Sequence, residues 1–164
     1  MSKTDIQTAR EIMFNVFPRI GELPIKGGWG RTKEDAVVID KNDSIINQSQ
    51  YFNGVEIEYI FMEYFNYLHL ITYRPLNDSY SGIRYKVIKQ KLIHDDKTKK
   101  IYDKITTEVS CFTDADWDEL KEEWENNIDN PDFDIEVHDK KRDSKKRYLE
   151  IEFWFEISSF YAKN

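Results

Sequence analysis

Apolar positions in this chain fall in blocks whose spacing changes along its length. Ile6, Ala9, Met13 and Val16 recur at helical spacing behind Thr4 and Gln7, a capping-box pair. They predict a helix from about Asp5 to Val16, ended by Pro18. The next stretch, FPRIGELPIKGGWGRT, is punctuated by prolines and glycines and reads as loop. Ala36 to Asp40 is rich in β-branched residues and predicts a short strand, followed by a turn-rich connection to Gly54. Residues 55–73 carry no turn signal for 19 residues, too long for one ordinary strand. Phe61, Phe65, Leu68 and Thr72 there fit a helical period, so most of the stretch is expected to be helix, with a short strand at Leu70 to Tyr73.

From Gly82 the period is mostly two. IRYKVIKQKLIH and KIYDKITTEVSCF flank the polar turn DDKTK as a hairpin, with Ile101, Ile105, Val109 and Cys111 on one face of the second arm. Thr113 then has the place of a helix cap, with Asp116 at the third helical position, and Trp117, Leu120, Trp124 and Ile128 share a face. FDIEVH and RYLEIEFWFEI alternate again and predict a second hairpin whose turn is the basic octet Lys140 to Arg147. The expected fold is one α+β domain over residues 1–164: a mainly antiparallel sheet built from two C-terminal hairpins and packed by about three helices.

Composition narrows the function. At 164 residues and 15% aromatics the chain can bury a core without staples. Its one cysteine, Cys111, excludes an internal disulfide or a cysteine zinc cage and fits a reducing compartment. Neither an apolar leader nor a membrane span is read, so the expected location is the cytoplasm. The net charge of -7 disfavours nucleic acid as a partner. That charge is uneven: twelve acids and one lysine lie between Asp114 and Asp139, and six basic residues and one acid follow in Lys140 to Arg147.

Candidate chemistry is thin. Gly27, Gly28 and Gly30 lack phosphate-loop spacing and precede a strand instead of following one, and only Gly28-Trp29-Gly30 matches the dinucleotide fingerprint. His69, His94 and His138 have no second histidine or cysteine at metal-ligand spacing, and Asp129, Asp132, Asp134 and Glu136 lack the glycine of a calcium loop. No metal or cofactor is expected. Cys111 falls on the apolar face of a strand, the usual place of a structural thiol. The basic octet contains no aromatic residue on which a base could stack.

In GGWGRTKEDAVVIDKND and FNGVEIEYIF the chain resembles a group of small bacterial proteins with a G-G-W-G-x-[ST]-x-E-D-A-x-x-I-D pattern, over residues 24 to about 61; that resemblance implies no activity. As a small acidic α+β protein without a catalytic constellation it is also similar to immunity proteins that neutralise bacterial toxins, a likeness of class that fixes no residue. The sequence therefore favours a binding protein over an enzyme. The expected surface is the acidic helix with Asp114, Asp116, Asp118, Glu119, Glu122 and Glu123, offered to a basic protein partner. The alternative is a small-molecule or nucleotide site at the loop with Gly28, Trp29, Gly30, Arg31, Glu34 and Asp35. A third reading has the aromatic-rich sheet forming a homodimer.

Overall fold

The computed structural model describes residues 9–46 and 51–162, so the first turn of the expected N-terminal helix lies outside the described residues. The elements are α1 (Ala9–Val16), β1 (Ile25–Gly27), β2 (Val37–Ile39), α2 (Gly54–Tyr67), β3 (Tyr80–Asp95), β4 (Lys100–Thr113), α3 (Asp114–Asn127), α4 (Ile135–Lys145) and β5 (Arg147–Glu156). The class is α+β, with a sheet in the order β1-β2-β5-β4-β3. That sheet is mixed. β1 and β2 are antiparallel, Ile25 opposite Ile39, but β2 runs parallel to β5, Val37 opposite Phe155.

The chain groups into two compact units. The first holds residues up to Tyr64, Val87–Thr106 and Glu152 onward; the second holds Phe65–Lys86 and Thr107–Ile151. In the first unit α2 lays Phe61 edge-on to Phe153 and Phe155, with ring centroids 6.4 and 5.7 Å away. Met13, Ile25, Val37, Ile39, Met62 and Ile105 complete a fully buried core. The start of α2 alternates in sequence, Val55, Ile57, Tyr59 and Phe61 against Glu56 and Glu58, but it packs as a helix: Val55 and Tyr59 are exposed while Ile57 and Phe61 are buried, as a period of 3.6 requires.

In the second unit Thr113 caps α3 as its sequence position predicts, its hydroxyl accepting from the Asp116 N-H at 3.2 Å. Leu120 is the buried residue of that helix, and Trp117 packs against Phe112 at 5.3 Å. The hairpin of β3 and β4, strand β2 and strand β5 also form where the pattern places them.

Four expectations are corrected. Residues 135–145 are helical, so the second hairpin does not form and the octet is mostly the last turns of α4 instead of a turn between strands. Asp134 accepts from the Val137 N-H at 3.1 Å as its N-cap, and Arg142 and Lys145 sit at the C-terminal end favoured by the helix dipole. The strand expected at Leu70 to Tyr73 is replaced by a wide π-type turn, in which the Tyr73 N-H reaches the Leu68 carbonyl at 3.0 Å. The loop after α1 contains β1, together with a single 3-10 turn at Pro18–Ile20. The pairing of β2 with β5 makes the sheet mixed, because two strands distant in sequence meet in the same direction.

Removing either cap tests these helix assignments. Asp134→Ala and Thr113→Ala should each lower unfolding free energy by about 1 kcal/mol in denaturant titrations. A hairpin at residues 133–157 would leave the Asp134 variant as stable as the native chain.

Candidate functional site

The glycine loop is the connection of the β1–β2 hairpin. Its backbone is used internally. The Gly28 N-H donates to the Ala36 carbonyl at 3.2 Å and the Gly30 N-H to the Asp35 carbonyl at 2.7 Å. The Asp35 carboxylate accepts from the Trp29 N-H at 3.1 Å, while the Thr32 hydroxyl accepts from the Asp35 N-H. The Gly30 carbonyl accepts from the Trp154 N-H at 2.7 Å, pinning the loop to β5. Gly30 has φ +73, and a Cβ there would stand 3.1 Å from the Trp154 carbonyl oxygen, so glycine is required. Half-buried Trp29 lies 6.3 Å from Phe61, and the exposed Arg31 holds its guanidinium 5.9 Å above the Phe153 ring. Glu34 is exposed. The amides of Gly28, Trp29 and Gly30 therefore shape a turn over the core, and are not aimed at an anion.

The acidic helix is more telling. Asp116, Glu119 and Glu123 form one ridge of α3, and α4 answers with His138, Lys141 and Lys145 at the matching spacing. Lys145 lies 2.9 Å from Asp116 and 2.8 Å from Glu119; Lys141 lies 2.7 Å from Glu119 and also pairs with Glu123, whose other oxygen is 2.8 Å from His138 Nδ1. These hydrogen bonds hold the three carboxyls below their usual range, Asp116 chiefly through Lys145, and Glu119 and Glu123 chiefly through Lys141. In return the Lys141 ammonium is pushed up to about 12. The Asp114 carboxylate accepts from the Ser79 and Ser81 hydroxyls, which lower its pKa. Asp118 and Glu122 remain exposed, with Lys121 at 3.9 Å from Asp118. The expected acidic face is thus largely answered from within the chain.

What α4 does not cover is the corner where α3 gives way to it. Trp124, Phe133 and His138 are mutual ring neighbours, 5.5 to 6.2 Å apart. Beside them Trp124, Ile128, Ile135 and Val137 are 38, 45, 49 and 58% exposed. From Glu122 to Asp139 there is no lysine or arginine, and Glu122, Glu125, Asp129, Asp132, Asp134 and Glu136 form no ion pair among the described residues. Exposed apolar side chains and unpaired acids are interspersed along this segment.

A second cluster lies inside the first unit. Glu58 on α2 is 1% exposed with Oε2 unpartnered, and Asp103 on β4 is 6% exposed with Oδ1 unpartnered. Gln90 donates to the other Asp103 oxygen. Burial pushes the Glu58 carboxyl up to about 8, assisted by the Asp103 charge, and burial raises Asp103 as well. Buried to this degree, the two acids are out of reach of a substrate. Sequence pattern points to neither, since Glu58 alternates with apolar residues at the start of α2 and Asp103 interrupts the apolar face of β4. Among the described residues no group of three or more His, Cys, Asp or Glu is placed to hold a metal ion, and no helix is long and apolar enough to cross a membrane. Cys111 is buried, and burial raises its thiol, the opposite of what a nucleophile needs.

Comparison with protein families, curated proteins and solved structures finds no match to this chain.

The buried acids fix a pH dependence. Between pH 4.5 and 8 the folded state keeps a Glu58 proton that the unfolded chain releases, so stability falls as pH rises through this window and levels off above it. Native protein should be less stable at pH 9 than at pH 5.5 by an amount on the order of a few kcal/mol, at about 1.4 kcal/mol per unit of displacement. Glu58→Gln should flatten the profile in urea titrations across that range; an unchanged slope would place the proton elsewhere.

Proposed function

We propose that the protein is a non-enzymatic binding protein that docks a basic protein partner on the Trp124, Ile128, Ile135 and Val137 patch. The observation that carries this reading is the pairing of exposed apolar side chains, one of them tryptophan, with acids that form no ion pair among the described residues. Interfaces draw most of their energy from a few large anchors at a desolvated centre, with tryptophan prominent among them. Unpaired rim charges add rate and partner choice. The patch replaces the front of α3 as the docking surface, because Asp116, Glu119 and Glu123 already hold lysines.

A single buried thiol suits a reducing compartment such as the cytoplasm. If the basic partner is a toxin, the protein acts as an immunity-type inhibitor by covering it. The ligand reading of the Gly28 to Asp35 loop loses support, since the amides that would grip an anion are bonded within the hairpin.

A basic partner recovered by low-salt affinity capture and then purified should bind with an affinity that falls as salt rises. Trp124→Ala should weaken it by about tenfold or more, mainly through faster dissociation. Glu125→Lys combined with Asp132→Lys should slow association and flatten the salt dependence. Recovery of no basic protein, or binding indifferent to all three changes, would refute the proposal.

A further inference from the structure

The second unit contains a cleft whose chemistry is opposite to that of the chain as a whole. A cavity of about 300 Å³ has Phe112 and Trp117 as its flat wall and Arg84, Arg142 and Lys146 as its cations, with the Ser110 hydroxyl among them. A space of about 220 Å³ adjoins it, sharing Arg84, Ser110 and Lys146 and adding Tyr85 and Tyr148. The acid in its lining is Glu108, which Lys86 holds at 2.9 Å. Arg142 and Lys146 are tied on their own helix side, Arg142 to Asp139 at 3.0 Å and Lys146 to Asp143 at 3.2 Å. Arg84 has no ion pair among the described residues.

The flat wall is built by a specific residue. Gly82 has φ +60, and a Cβ there would stand 2.7 Å from the Trp117 ring. Only glycine lets the indole lie directly on β3, tilted 37° to Phe112 at 5.3 Å. Aromatic rings offered sideways to a cleft accept another flat ring. Guanidinium groups and a hydroxyl donate hydrogen bonds to the oxygens of a phosphate or carboxylate.

We propose that this cleft binds a mononucleotide, its ring against Trp117, which Phe112 backs from the core, and its phosphate where the two spaces meet, at Arg84, Ser110 and Lys146. The cavity is at the small end of ligand sites, which suits a single nucleotide. A longer phosphate chain is disfavoured by the net charge of -7. The site shares no residue with the proposed protein-docking patch, so either can fail without the other.

Calorimetric titration of the full chain with AMP, GMP, CMP and UMP tests it, with adenosine and inorganic phosphate as separate arms. At least one mononucleotide should bind with Kd below about 1 mM, and adenosine and phosphate about tenfold more weakly or not at all. Arg84→Glu should weaken the best nucleotide by about tenfold or more, and Trp117→Phe by less. Lys89→Glu, the same charge change on β3 at a residue outside the cleft lining, should leave the affinity within about twofold. Circular dichroism confirms that each variant is folded. The proposal is overturned if no mononucleotide binds, if phosphate alone binds as tightly, or if Lys89→Glu costs as much as Arg84→Glu.

Discussion

The second unit is organised by the contact of Lys141 and Lys145 on α4 with Asp116, Glu119 and Glu123 on α3. Each pair is partly exposed, with side-chain exposures between 24 and 52%, so each adds little to stability. Their consequence is electrostatic. Two lysines absorb one ridge of a helix that would otherwise repel itself, and they sort the acids of residues 114–139 into a paired group and an unpaired one. The unpaired group lies along residues 122–136, interspersed with the exposed Trp124, Ile128, Ile135 and Val137.

The same helix serves the cleft. Its Lys141 and Lys145 face α3, while Arg142 and Lys146, one position further round, line the space beside Gly82 and Trp117. One short basic helix therefore neutralises an acidic neighbour and furnishes cations to an aromatic wall.

Local features were the legible ones. Thr113 capping α3, the turn between β3 and β4 and the alternation of β5 each depend on residues a few positions apart. The helix at 135–145 was hidden because Phe133, Ile135 and Val137 alternate, and because its partner ridge on α3 becomes visible only when the two helices are side by side. Asp134 has the spacing of a cap to Val137, but the alternation of its neighbours places it on a strand. Long-range facts left no local trace: the parallel pairing of Val37 with Phe155, the burial of Glu58 and Asp103, and the pinning of the glycine loop by Trp154. Gly82 carried a signal of a different kind, a glycine at the start of a strand, whose meaning depended on where Trp117 came to lie.

The organising contact is most directly tested by carboxyl-carbon NMR titration of Glu119 and Glu123 in the native chain and in Lys141→Ala. The account predicts that both titrate below the ordinary glutamate value of 4.5 in the native protein and move toward it in the variant. Titration at unchanged values after the substitution would contradict it, and would mean that α4 does not lay its lysines on α3.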